Sequence, residues 1–218
     1  GAKIVGGDEL RKSVELQFEG GIIAELGMAH QERFPKSGAK PQVSAAIIYE
    51  DLRCRDFTVN AIALSLNKAS LGLPIDPTNG VGDTERKELR AIHNYSFYDD
   101  PARMLRLMRF KVRLGYTIDE RTRLQYENAR EAGMLEKLSP EALHAELLQM
   151  ANEPNSADLI QLLAEEKLIE LLSPALAGPK LNMPVFTKLQ KARQMVPHGA
   201  DFHMSALPLF LKIGRAHV

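Results

Sequence analysis

The sequence predicts an α+β protein, with strands and helices mixed up to about Ile92 and helices alone from Asp100 onward. Three observations carry this. Val14-Glu15-Leu16-Gln17-Phe18 alternates apolar and polar residues and is followed by Gly20-Gly21 and a second apolar run, the pattern of a hairpin. Residues 100–114 have the periodicity of a helix with apolar residues around most of its circumference. Beyond them, apolar residues recur only at helical spacing, as in Leu143, Leu147 and Met150.

Composition narrows the class. The 218 residues are 44% hydrophobic, enough for the core of one large domain or two small ones. No apolar run approaches the ~18–20 residues of a membrane span. Lys plus Arg and Asp plus Glu balance at 28 each, so an anionic partner would have to be met by a local patch. The single cysteine, Cys54, excludes an internal disulfide and suits the cytosol. The histidines have no zinc-like spacing.

Taken in order, residues 14–18 and 22–28 pair as strands about Gly20-Gly21. Glu25 falls inside the second, where a carboxylate is either on a solvent-facing side or liganded. Residues 31–43 are polar and carry Pro35, Gly38 and Pro41, so they read as a loop. A charged run over 51–61 passes into a strand at 61–66. Gly80 and Gly82-Asp83 precede a charged helix ending near Leu89, and residues 89–92 make a short strand-like exit.

Asp100 followed by Pro101 places an N-cap and a first-turn proline at the start of the next helix. At about 100° per residue, Arg103, Arg106, Arg109 and Arg113 fall within an arc of roughly 120°. Met104, Leu105, Leu107, Met108, Val112 and Leu114 cover most of the remainder, the reverse of an ordinary surface helix. The arginine face either makes ion pairs with other elements or receives an anion such as phosphate or RNA. Ile118-Asp119-Glu120 caps a helix holding Leu124, Tyr126 and Ala129, Ser139-Pro140-Glu141 opens another, and Asn155-Ser156 a third. Shorter helices continue to about Lys212, with breaks at Pro174, Gly178-Pro179 and Pro184.

No Walker-type loop, Gly-x-Gly-x-x-Gly turn or Ser/His/Asp system is present. Clustered carboxylates and arginines suit phosphoryl or nucleotidyl transfer, which needs acids to hold Mg²⁺ and cations to hold phosphate.

Asp99-Asp100-Pro101-x-Arg103-Met104-Leu105-Arg106-x-x-Arg109-Phe110 resembles the nucleotide-selecting motif of bacterial tRNA nucleotidyltransferases (CCA-adding enzymes) and poly(A) polymerases. Further blocks follow the order of that family over roughly residues 22–172. Glu25-Leu26-Gly27-Met28-Ala29-His30-Gln31-Glu32 resembles the strand whose acid completes the metal site, which implies that Glu25 coordinates metal or activates water. Asp51-Leu52-x-x-Arg55-Asp56-Phe57-Thr58-x-Asn60-Ala61 resembles the ribose and triphosphate motif. It implies Arg55 on phosphate, with Asp56 and Asn60 on ribose or fixing the loop. Asp76-Pro77-x-x-Gly80-x-Gly82-Asp83 is similar to a flexible head-to-neck connector, and Ser139-x-Glu141 with Glu146 to a supporting neck motif.

The resemblance implies that Asp100 and Arg103 act as a protein template. Cytosine and adenine share an exocyclic amine beside a ring-nitrogen acceptor, which a carboxylate and a guanidinium can read. Uracil and guanine would turn a carbonyl toward Asp100. Arg106 and Arg109 join the nucleotide-binding set by the same resemblance. Three departures stand out. Val5-Gly6-Gly7 is not followed by the family's Asp-x-Asp pair, Cys54 stands where an arginine usually precedes Arg55, and Ala142 stands where an arginine is common.

The expectation is therefore a piece of a class II nucleotidyltransferase, inactive alone. It has a truncated α/β head over 1–92, a helical nucleotide-selecting neck over 93–150, a helical RNA-binding body over 151–212 and a non-native tail over 213–218. The parent would be a cytoplasmic, Mg²⁺-dependent enzyme adding C and/or A from CTP and ATP to tRNA 3′ ends. A poly(A) polymerase and a non-catalytic RNA- or nucleotide-binding module are the alternatives.

Overall fold

The computed structural model describes residues 1–172 and 183–195. They form two compact units, residues 1–100 with 119–125, and residues 101–118 with the described residues from 126 on.

In the first unit, β1 (Lys3–Asp8), β2 (Ser13–Gln17) and β3 (Ile23–Gly27) make an antiparallel sheet in that order. The expected hairpin is present, with a single 3₁₀ turn at Glu19–Gly21 between β2 and β3. Register pairs Val14 with Leu26 and Leu16 with Ala24, and it sets Glu15 opposite Glu25. Because strand side chains alternate, one face is apolar and the other carries the two glutamates.

The loop expected over 31–43 is instead a second hairpin. β4 (His30–Arg33) and β5 (Gln42–Ala45) pair antiparallel from His30 opposite Ala45 to Arg33 opposite Gln42. Pro35, Gly38 and Pro41 all fall in the connection, where they interrupt no ladder. After α1 (Ile48–Cys54) the strand expected at 61–66 shrinks to β6 (Ala63–Leu64), paired with β7 (Pro74–Ile75). The residues before it are taken by a 3₁₀ turn, Thr58–Asn60.

The charged helix, α2 (Gly80–Arg86), ends earlier than expected. Lys87 adopts left-handed φ/ψ of 56° and 46°, and β8 (Glu88–Leu89) follows at once. Asp76 caps α2 with both oxygens, accepting the Gly80 N–H at 2.7 Å and the Val81 N–H at 2.9 Å. The segment likened to a flexible connector is thus a capped helix packed on the 58–60 turn. A short α3 (Ser96–Asp99) closes this part of the chain.

The second unit is built on α4 (Ala102–Leu114). Its start departs from expectation by one residue. Asp100 is extended, its N–H donating to Ser96 O at 3.2 Å, and Pro101 takes the cap position. Gly115, with φ of 65°, ends the helix in the left-handed conformation that favours glycine. β9 (Thr117–Ile118) leads to α5 (Glu120–Glu131), whose entry is capped by Asp119 accepting the Thr122 N–H at 3.1 Å.

α6 (Pro140–Asn152) begins at Ser139 as expected, its hydroxyl accepting the Ala142 N–H at 3.1 Å. α7 (Ser156–Glu165), α8 (Ile169–Leu172) and α9 (Met183–Gln194) follow. α4 packs on α6 and α7, and α7 on α9. Met104, Leu105, Leu107, Met108, Leu159 and Leu163 are buried. Pro184 lies in the first turn of α9, where it costs no hydrogen bond, and marks no break beyond that start. Pro174, Gly178-Pro179, the helices expected beyond 195 and the expected tail lie outside the described residues.

Candidate functional site

The first unit presents a rigid turn. Asp56 is buried, and its Oδ1 accepts the Phe57 N–H at 2.7 Å and the Asn60 side-chain N–H at 3.0 Å. Of the two roles the resemblance offered Asp56 and Asn60, these contacts make the loop-fixing one. Phe57 bridges to Ala91, and the Thr58 N–H donates to Arg90 O at 3.0 Å. Beneath the turn, the buried Asp83 accepts from the Thr58 hydroxyl at 2.7 Å and from Arg90 Nε at 3.2 Å, and it pairs with Arg86. Gly80 leaves the room for this. A Cβ there would lie 2.0 Å from Thr58 O.

Arg55 stands at the C-terminal end of α1, half-exposed. Its Nε and Nη2 donate to Asp51 Oδ1 at 2.9 and 2.7 Å. Asp51 is buried, and its second oxygen accepts the His30 N–H at 2.9 Å. A guanidinium held on one edge and open on the other is a geometry suited to a phosphate oxygen.

Glu25 is exposed on β3, directly across from the equally exposed Glu15. Among the described residues no group of three or more His, Cys, Asp or Glu side chains could hold a metal ion. Hard divalent cations need several oxygen ligands, so the residues present do not make a magnesium site by themselves.

In the second unit, the arginine face of α4 meets carboxylates. Arg106 donates through Nε and Nη2 to Glu146 Oε1 at 2.8 and 2.6 Å. Arg109 Nη1 lies 3.1 Å from Glu153 Oε1 and its Nε 3.5 Å from Glu146 Oε2. Its guanidinium also sits 4.7 Å from the centre of the Phe110 ring. Arg113 reaches Glu153 at 3.6 Å. Glu146 and Glu153 are both buried, so the ion-pair reading of this face holds for Arg106, Arg109 and Arg113. Arg103, one turn before Arg106, is itself 4% exposed. Asp100 belongs to the first unit and Arg103 to the second.

Three functional supports escaped the reading of single residues. Asp51 had the spacing to Arg55 that places partners on one helix face, a signal present in the sequence. Asp83 sat in a quoted motif with no partner assigned. Glu153 had no local signal, because its arginines lie about forty residues earlier on another helix.

Residues 9–90 match the family model for the poly A polymerase head domain. The chain is 32% identical over 184 residues to the A-adding tRNA nucleotidyltransferase of Aquifex aeolicus, covering 84% of this chain and 22% of that protein. It is 35% identical over 103 residues to the CC-adding tRNA nucleotidyltransferase of Deinococcus radiodurans, covering 47% of this chain and 28% of that one. A crystal structure of a tRNA nucleotidyltransferase complexed with a primer tRNA and an incoming ATP analog superposes with a TM-score of 0.76. That likeness has 25% identity and covers 98% of this chain and 59% of the other. The chain spans about a fifth to a third of the length of the curated relatives it matches.

Proposed function

Because the chain belongs to the class II tRNA nucleotidyltransferase family, which includes CCA-adding enzymes and bacterial poly(A) polymerases, we propose that its protein adds C and/or A to tRNA 3′ ends from CTP and ATP. The observation that carries this reading is the turn at residues 56–60. Asp56, Asn60 and Asp83 brace it, and it directly follows the half-exposed Arg55. In this reading Arg55 meets the triphosphate, and Asp56 and Asn60 keep the turn at a fixed height beneath the ribose. Asp100 and Arg103 flank the start of α4 and read the amine and ring nitrogen shared by C and A. Arg106 and Arg109, tied to Glu146 and Glu153, hold that helix still and add positive potential for the nucleotide.

The reaction joins the RNA 3′-oxygen to the α-phosphorus, breaks the bond to the β-phosphate and releases pyrophosphate, and the hydroxyl proton goes to solvent. Mg²⁺ would supply charge neutralisation at the phosphates. Glu25 would be one of its ligands, with the remaining ligands not among the described residues. A cytoplasmic location belongs to the same proposal. Among the described residues, no helix is long and apolar enough to cross a membrane.

Product length tests the reaction. The full protein bearing this chain is given tRNA lacking its 3′-terminal nucleotides, with labelled CTP and ATP. Extension by a few nucleotides and then arrest is expected. A long adenylate ladder would assign the poly(A) polymerase reaction instead, and no incorporation would favour the binding-module alternative.

A further inference from the structure

Arg55 lies at one end of a chain of alternating charges that crosses the first unit. Arg11, in the β1–β2 turn, donates to Glu32 on β4 at 2.8 and 2.9 Å and to Asp8 at 3.0 Å. The Arg11 backbone N–H and guanidinium hold the Asp8 carboxyl below its usual range. Glu32 Oε1 lies 3.7 Å from His30 Nε2, and His30 Nδ1 lies 3.6 Å from Asp51 Oδ2. Asp51 Oδ1 in turn holds Arg55. His30 is the one member of this chain whose charge changes near neutral pH. It is walled in, with 16% of its side chain exposed, against 13% for Glu32 and 5% for Asp51.

The geometry also names the titrating nitrogen. Met28 O lies 3.0 Å from His30 Nδ1, which keeps a proton on Nδ1 in the neutral ring. The second proton then arrives on Nε2, facing Glu32. The charged groups around the ring are Glu32 on its own strand and Asp51 on α1, with Arg11 and Arg55 beyond them. The partner strand β5 contributes only Gln42, Val43, Ser44 and Ala45, none of them ionisable.

We propose that His30 is a positioning residue that sets Arg55 through Asp51. With the ring neutral, Asp51 gives its charge to Arg55 and holds the guanidinium to α1. With the ring protonated, Asp51 is shared, Arg55 is released toward solvent, and one more positive charge stands nearby. The consequence for nucleotide binding rests on the function proposed above. The coupling between His30 and Arg55 does not.

The test is therefore read at Arg55 itself. The Arg55 Nε–H resonance, assigned by its loss in Arg55→Lys, is followed in ¹⁵N NMR from about pH 8 to about pH 5.5, across the histidine range. It is expected to move with His30, to stay fixed in His30→Gln, and to rest near its low-pH position at all pH in His30→Arg. A pH-independent resonance in the wild type, or the same titration in His30→Gln, overturns the proposal. CTP affinity, measured in parallel, is expected to rise about fivefold on acidification in the wild type relative to His30→Gln. If the resonance behaves as expected and no nucleotide binds, the nucleotide role of Arg55 fails while the coupling stands.

Discussion

Replacing Gly80 with alanine is expected to destabilise the first unit by at least about 3 kcal/mol. The added methyl would sit 2.0 Å from Thr58 O and 2.9 Å from Ile62 Cγ1. The first of these is backbone, so no rotamer change relieves it. Either α2 must move off the 58–60 turn or the turn must open, and both dismantle the contacts of Asp83 with Thr58 and Arg90. Gly82→Ala is the matched control. There the new methyl meets only the end of the Asn79 side chain, at 2.9 Å, which can swing aside. Alanine also favours the helix, so the control is expected to cost less than about 1 kcal/mol. Urea unfolding followed by circular dichroism separates the two. Equal stability of Gly80→Ala and Gly82→Ala would contradict the close approach.

Glu146→Ala carries the second large effect. It leaves Arg106 and Arg109 facing a site from which the shared carboxylate is gone, and the loss of one member of a buried ion pair costs about 3–5 kcal/mol. Arg106 is partly exposed and can turn to water, and Arg109 keeps Glu153, so the lower end, about 3 kcal/mol, is expected. The double variant with Arg106→Ala should recover part of the loss, since the stranded charge is then removed as well. Moderate salt should not mimic the substitution, because buried pairs are screened little. A loss below about 1 kcal/mol in urea unfolding would mean the arginine face of α4 is held by something other than Glu146.

How much of this was legible in the sequence depended on the range of the interaction. The β2–β3 hairpin, the Ser139 cap and the Gly115 terminus are local. Alternation, a hydroxyl before a proline and a glycine after an apolar helix are enough to find them. The β4–β5 hairpin was not legible, because its strands are polar and one side is bound by charge, as Glu32 is by Arg11, so no apolar alternation marks it. The arginine arc of α4 was plain on a helical wheel, but its partners were not. Glu146 and Glu153 come from another helix, and only packing brings them there. The same holds for Asp83, whose burial under Thr58 nothing in its neighbourhood announces. The Arg55-Asp56-x-x-x-Asn60 block drew attention as a ligand-binding motif, and half of it proves to be the turn's own bracing.

The most direct measurement of the central claim, that this chain selects C and A by protein side chains, is equilibrium binding of CTP, ATP, UTP and GTP with Mg²⁺ to the purified chain. The comparison is with Asp100→Asn and Arg103→Ala, each checked for folding by circular dichroism. The account predicts that the wild type binds CTP and ATP in preference to UTP and GTP. Arg103→Ala should lose that binding, and Asp100→Asn should narrow the preference, because an amide can donate to the carbonyl that a carboxylate repels. Equal binding of all four nucleotides by the wild type, or unchanged selectivity in Asp100→Asn, would contradict it.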